Sequence, residues 1–141
     1  MATIDRGQFF LDFKAVKSGN EKAKFFIALT EGTDDDDSII CFVINTEHRM
    51  DLYNVNCNRS KQRFILFKDV HKFEFLKNPS SIMLDDACQY FIAEFYEDNL
   101  KILDDKADEI LCRQIKNCID EGYILPAFMK KIKENYKNKP T

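Results

Sequence analysis

A chain of 141 residues has the length of one domain, and a hydrophobic content of 45%, with 13 Phe and 5 Tyr, can bury a sizeable core. This composition excludes extended disorder, and only 4 Gly and 3 Pro leave little material for a long linker to a second domain. The net charge of −3 argues against broad, sequence-independent attraction to a nucleic acid backbone, although it leaves room for a local basic site.

The N-terminal residues 1–6 lack an apolar segment of the kind that directs export, and no stretch approaches the roughly 20 apolar residues that cross a bilayer. We therefore expect a cytoplasmic protein without a membrane partner. The cysteines are odd in number, without Cys-x-x-Cys spacing, and several lie within apolar runs, which favours buried, reduced thiols. They are Cys41, Cys57, Cys88, Cys112 and Cys118.

Three apolar runs of strand length open the chain, at residues 7–13, 24–30 and 39–45. Ser18, Gly19 and Asn20 form a turn between the first two runs. The segment 31–37 contains four consecutive aspartates and must be a loop, so the second and third runs are predicted to form an antiparallel hairpin.

The middle of the chain is less regular. Residues 47–63 are polar and rich in Asn, which predicts a loop with room for one short strand. Further strands are expected at 64–67 and 82–84. The stretch 88–96 has enough aromatic residues for a strand and apolar spacing suited to a helix, so both alternatives stay open.

The C-terminal third is predicted to be helical. Asp104 and Asp105 can cap a helix over about 106–120 with Gly122 beyond its end. Pro126 suits the first turn of a second helix. The core-facing residues are expected to be Ile110, Leu111, Ile115, Cys118 and Ile119 in the first helix and Phe128, Met129, Ile132 and Tyr136 in the second. The fold class is thus α+β in a single domain, with residues 7–84 β-rich and residues 106–136 helical.

Few residues offer recognisable chemistry. His48 and His71 are the only histidines, and neither lies in a known motif. The four aspartates lack the alternation and glycine of a calcium loop, and no Cys/His pair has zinc spacing, so we expect no metal and no cofactor. The motifs of serine hydrolases, P-loop enzymes and Rossmann enzymes are absent.

The first three predicted strands resemble those of the MazF/PemK toxin family. Gly7-Gln8-Phe9-Phe10-Leu11-Asp12-Phe13 is similar to that family's opening strand, Lys24-Phe25-Phe26-Ile27-Ala28-Leu29 to its second, and Phe42-Val43-Ile44-Asn45-Thr46 to its third. Residues 75–84 are more distantly similar to a later strand pair. Lys24 stands where the family has arginine, the following proline is missing, and Gly-Gln replaces Gly-Asp.

The resemblance implies an SH3-like β-barrel of about five or six mostly antiparallel strands followed by C-terminal helices. It also implies an endoribonuclease that cleaves single-stranded RNA without metal, through attack by the RNA 2′-hydroxyl. Lys24 and Thr46 would be catalytic, because a cation and a hydroxyl stabilise charge on the phosphoryl oxygens. His48 and Arg49 would bind RNA. This role requires Lys24 and Thr46 to lie side by side at one end of the barrel.

Two alternatives accompany this hypothesis. The barrel could be a catalytically inactive protein-interaction module in a toxin–antitoxin, defence or phage counter-defence system, in which the aspartate block mimics phosphate or meets a basic partner. The chain could also be a structural or regulatory domain with an unrelated β-rich fold. An antitoxin-like protein partner fits the first alternative, and the aromatic surplus could cover the interface of a homodimer.

Overall fold

The computed structural model describes residues 3–17 and 20–137, with side chains described for all of these except residues 16, 17, 20 and 21. Within these residues, seven antiparallel strands form one sheet in the order β4-β5-β6-β3-β2-β1-β7. Their bounds are β1 Gln8–Lys17, β2 Asn20–Ala28, β3 Ser38–Thr46, β4 Asn56–Asn58, β5 Arg63–Leu66, β6 Ser80–Phe91 and β7 Leu100–Lys106. Of the turn predicted at 18–20, residues 18 and 19 lie outside the described residues.

Three α-helices and four short 3-10 turns complete the described chain. The helices are α1 Lys68–His71, α2 Glu109–Cys118 and α3 Pro126–Lys137, and the 3-10 turns are Met50–Leu52, Arg59–Lys61, Ile92–Tyr96 and Glu121–Tyr123. Within the described part of the chain, no helix has the length and apolar character needed to span a membrane.

The α+β class is confirmed, but a closed SH3-like barrel is not. The sheet is open, because β4 and β7 lie at opposite edges of the strand order. The sequence pattern missed β7, in which four of seven residues are charged and the apolar residues are too few to signal a strand. The β-rich part therefore reaches residue 106 rather than 84. The predicted β2–β3 hairpin is confirmed, with Phe25 opposite Ile44.

The stretch 88–96, for which strand and helix were both open, is part strand and part 3-10 turn. Strand β6 continues to Phe91 and then turns directly into the 3-10 turn Ile92–Tyr96. The side chain of Glu94 accepts a hydrogen bond from the Phe91 N–H at 2.7 Å, which fixes the point where the strand ends.

Both faces of the sheet are covered. On the face that carries α2 and α3, here called the helical face, Phe9, Ile27, Phe42 and Ile82 pack with Ile115 and Ile132. On the opposite face, Phe10, Phe26, Cys41 and Val43 pack with Ile92 and Phe95 of the 3-10 turn. Alternate residues of β1, β2 and β3 supply the two cores, as the two-residue period of a strand requires.

Helix α2 is shorter than the prediction. Asp108, rather than Asp104 or Asp105, is its N-cap, with its carboxylate accepting from the Leu111 N–H at 2.8 Å. The helix ends at Cys118, well before Gly122. Ile110, expected in the core, is 71% exposed, and Cys112 takes the buried position. In α3 the start at Pro126 and the burial of Met129, Ile132 and Tyr136 are confirmed.

Gly7 joins the N-terminal segment to the end of β7 through a close backbone approach. Its φ is +89°, and a Cβ atom at this position would lie 2.3 Å from the Ala107 carbonyl oxygen. Its N–H donates to Ala28 and its carbonyl accepts from Ala107. Glycine is therefore required here both by the left-handed backbone and by the lack of space.

The expectation of five reduced thiols is wrong for two of them. Cys57 in β4 and Cys118 at the end of α2 form a disulfide, with Cα atoms 5.7 Å apart and a sequence separation of 61. The pairing was not visible in the sequence because it depends on how α2 packs against the sheet edge. Cys41 and Cys112 are buried thiols and Cys88 is a half-buried thiol, and none of the three is in a disulfide with a described residue.

Candidate functional site

Lys24 lies on the face opposite the helices. It stands two residues before Phe26, which belongs to the core of that face, and its Cα is paired with Asp12 of β1. Its ammonium group donates to the Asn45 Oδ1 at 2.9 Å, across the β2–β3 pair. Lys24 is thus held beside polar side chains within the sheet.

Thr46 lies on the helical face, two residues beyond the core residue Ile44. Its side chain is exposed and lines a cavity of about 240 Å³ between the end of β3 and the segment that precedes β6. The other lining residues are Phe25, Ile44, Phe75, Leu76, Lys77, Asn78 and Ser80. The cation in this cavity is therefore Lys77.

The structure does not bring Lys24 and Thr46 together. Successive residues of a strand point to opposite faces, and the Lys24 ammonium group donates to the side chain of Asn45, the neighbour of Thr46. The side-by-side arrangement that the family resemblance requires is absent, so these two residues cannot share one phosphodiester group as a catalytic pair.

His48 and Arg49 follow β3 and are both exposed. Arg49 donates two hydrogen bonds to Asp51, from Nε at 3.0 Å and from Nη2 at 2.9 Å. This pairing raises the pKa of Arg49 and lowers that of Asp51. The Arg49 guanidinium could bind a phosphate through two parallel hydrogen bonds, but here it makes both of them to the Asp51 carboxylate.

The aspartate block between β2 and β3 has a defined conformation. The Asp37 carboxylate accepts from the backbone N–H groups of Thr33 at 2.9 Å and Asp34 at 3.0 Å. The bonds from Asp34 and Thr33 lower the pKa of Asp37. Asp37 therefore closes the loop as a local cap, which leaves Asp34, Asp35 and Asp36 exposed on its outer side.

The loop is fastened to the 3-10 turn Ile92–Tyr96. Its carbonyls accept from the N–H groups of Ile92 at 2.9 Å and Ala93 at 3.3 Å. The Tyr96 hydroxyl donates to the Asp35 carboxylate at 2.9 Å. Three hydrogen bonds thus hold the acidic loop against the end of β6.

Two large aromatic side chains are exposed beside these carboxylates. Phe91, at the end of β6, is 47% exposed, and Tyr96 is 51% exposed. Glu97 and Asp98 follow directly and are also exposed. We call the surface formed by Asp34, Asp35, Asp36, Phe91 and Tyr96 the acidic–aromatic surface. Lys131 of α3 donates to the hydroxyl of Ser38, the residue that follows the aspartate block and begins β3.

Among residues 3–17 and 20–137, no three His, Cys, Asp or Glu side chains cluster closely enough to hold a metal ion. His71 serves the fold instead. Its two ring nitrogens contact the Phe67 N–H at 3.0 Å and the Asn56 side chain at 2.7 Å.

Comparison with known proteins adds no family. No protein-family model matches the sequence, and no curated protein is significantly similar to it.

Sequence reasoning recognised the aspartate block and missed its aromatic neighbours. Phe91 and Tyr96 lie more than 50 positions further along the chain and belonged to a stretch whose secondary structure was ambiguous. The pairing of β3 with β6, which places Ser38 opposite Phe91, and the hydrogen bonds of the 3-10 turn to the loop bring the two segments together. The available signal was the mixture of aromatic and acidic residues between Phe91 and Asp98.

Proposed function

We propose that this chain is a protein-interaction module that recognises a basic partner through the acidic–aromatic surface. The observation that carries the proposal is the side-by-side exposure of Phe91 and Tyr96 with three aspartates in a hydrogen-bonded loop. Exposed aromatic residues supply apolar contact area at interfaces, and carboxylates select lysine and arginine. A pre-organised loop also reduces the entropy lost on binding.

The net charge of −3 agrees with this function, since it favours encounter with positively charged proteins. A partner of an antitoxin-like or counter-defence kind would present a basic segment to the surface. The proposal does not involve a cofactor or a reaction.

The test is a selection of random peptides on the immobilised protein. We expect enrichment of peptides that combine lysine or arginine with an apolar residue. The same selection on the variant Asp34→Asn/Asp35→Asn/Asp36→Asn should lose that enrichment, because asparagine keeps the loop's hydrogen-bond acceptors and removes its charge. Enrichment of neutral or acidic peptides by the wild type would overturn the proposal.

A second candidate function is metal-independent cleavage of single-stranded RNA at the Thr46 cavity. The observation that favours it is that Thr46 and Lys77 line one cavity with Phe25 and Phe75, whose ring centroids are 5.0 Å apart. Aromatic rings stack on unpaired bases, and a cation and a hydroxyl can orient a phosphate.

This second candidate assigns the cationic role to Lys77 and gives Lys24 none. In an RNA-cleavage assay with EDTA present, Thr46→Ala and Lys77→Ala should each reduce cleavage at least about tenfold, because each removes a group that contacts the phosphate. Lys24→Ala, on the other face, is the matched control and should keep the wild-type rate. An uncut RNA, or equal loss in all three variants, would refute the candidate.

A further inference from the structure

A second cavity, of about 370 Å³, lies on the face opposite the helices, next to the acidic–aromatic surface. Its wall includes Glu94, which belongs to the same 3-10 turn as Tyr96. Asp12 of β1, Tyr90 of β6 and Asn99 also line it, together with Lys14. We call it the Asp12 cavity.

Asp12 is a buried carboxylate, with 6% of its surface exposed. It lies where the β1–β2 register shifts, and its Oδ1 accepts from the Lys14 N–H at 2.9 Å. The same oxygen accepts from the Asn99 amide at 3.2 Å, and Oδ2 accepts from the Tyr90 hydroxyl at 2.7 Å. Every one of these donors is electrically neutral.

Two lysines lie close to Asp12, yet neither ammonium group contacts its carboxylate among the described residues. Lys24 is its register partner and donates to Asn45. Lys14 is exposed and contacts Asp12 through its backbone N–H alone. A buried carboxylate is ordinarily paired with a cation, so this one lacks the partner that would best offset its desolvation.

The cavity walls suit a cationic side chain. Glu94 adds a second carboxylate, and its bond to the Phe91 N–H uses only one of its acceptor sites. Tyr90 presents an aromatic ring beside Asp12, and among the described residues its hydroxyl is the one donor to the Asp12 Oδ2. An aromatic ring and two carboxylates are the groups that bind guanidinium and ammonium ions.

We propose that the Asp12 cavity binds a single arginine or lysine side chain, supplied by the basic partner that docks on the acidic–aromatic surface. The claim that a docked partner supplies this side chain rests on the proposed function. The claim that the cavity binds the cation does not. The long stem of such a side chain would pass the rim at Lys14 and Gln89, and its charged head would face Asp12 and Glu94.

The test uses the whole protein and two small probes, N-acetyl-arginine methylamide and N-acetyl-citrulline methylamide, which have nearly the same shape and differ in charge. Binding is followed by amide NMR shifts. The arginine probe should shift the signals of residues around Asp12 and Tyr90 in a saturable way at millimolar concentration, and the citrulline probe should not. Equal shifts with the two probes would overturn the proposal without any variant.

Variants localise the effect. Asp12→Asn should weaken the arginine probe about tenfold or more, since it removes a charge-assisted hydrogen bond. Glu94→Gln should weaken it by about threefold, because it keeps the bond to Phe91 and removes only the second charge. Glu97→Gln, an exposed carboxylate outside the cavity, is the control. If Asp12→Asn fails to fold, the Glu94 and Glu97 variants still decide the question.

The two proposals can fail separately. If the arginine probe binds as described while peptide selection is unaffected by the three asparagine substitutions, cation binding by the cavity is supported and the proposed interaction surface is refuted. If peptide selection depends on the surface while the two probes bind alike, recognition of a basic partner is supported and the cavity proposal is wrong.

Discussion

At the scale of single residues, His71 shows how burial sets the charge of a side chain. Its Nδ1 lies 3.0 Å from the Phe67 backbone nitrogen and 3.2 Å from the Phe67 carbonyl oxygen, and its Nε2 lies 2.7 Å from the Asn56 Oδ1. Burial lowers the pKa of His71 below its ordinary value of 6.5. The neutral ring is therefore the form that fits the folded protein.

This arrangement predicts a pH dependence of stability. Because the unfolded chain binds the proton at higher pH than the folded chain, the free energy of unfolding should fall as pH is lowered from about 7 to about 5. In His71→Gln the decrease over this range should be smaller, as measured by urea unfolding. His48→Gln, at an exposed histidine, is the control and should match the wild type. Identical slopes in all three proteins would contradict this account.

At the scale of elements, the Cys57–Cys118 disulfide ties the three-residue edge strand β4 to α2 across 61 positions. Closing a loop of this length restricts the unfolded chain and stabilises the fold by about 2 to 4 kcal/mol. Cys57→Ser/Cys118→Ser should lose that amount in denaturant titrations. A reductant should lower the stability of the wild type and leave the double variant unchanged; a wild type indifferent to reductant would argue against the bond.

A buried hydroxyl near the end of α3 joins this helix to the residue that follows β2. Tyr136 donates to the Leu29 carbonyl at 2.7 Å, and the Arg6 guanidinium lies 4.0 Å from the centre of its ring. Tyr136→Phe should cost about 1 to 3 kcal/mol of unfolding free energy, because it removes the buried bond to that carbonyl. Tyr123→Phe, at an exposed ring, should be neutral within about 0.5 kcal/mol. Equal stabilities of the two variants would refute this role.

The elements that the sequence predicted are those with a local signal. The β-branched run of β3 and the Pro126 start of α3 depend on neighbouring residues alone, and both are confirmed. Strand β7 and the disulfide depend on contacts with distant segments, so local patterns could not reveal them. The candidate surface was hidden for the same reason, because its acidic and aromatic residues come together through the β3–β6 pairing and contacts between distant segments.

At the scale of the whole molecule, charge is unevenly distributed. The aspartate loop and the end of the 3-10 turn concentrate carboxylates near Tyr96, whereas α3 carries lysines along its exposed side, including Lys130, Lys133 and Lys137. Binding of a basic partner should therefore weaken as salt is raised, since exposed charges are screened over about 10 Å at 0.1 M ionic strength. Affinity that is independent of salt would point to a purely apolar contact.

The most direct test of the central claim is the dissociation constant of a selected basic peptide, measured by calorimetry for three proteins. Asp34→Asn/Asp35→Asn/Asp36→Asn should bind about tenfold or more weakly than the wild type, because three rim charges together contribute about 1.5 to 2 kcal/mol. The control Asp69→Asn/Glu74→Gln/Asp104→Asn removes the same charge from exposed positions elsewhere and should bind within about twofold of the wild type. Equal weakening of both variants, or of neither, would contradict recognition through the acidic–aromatic surface.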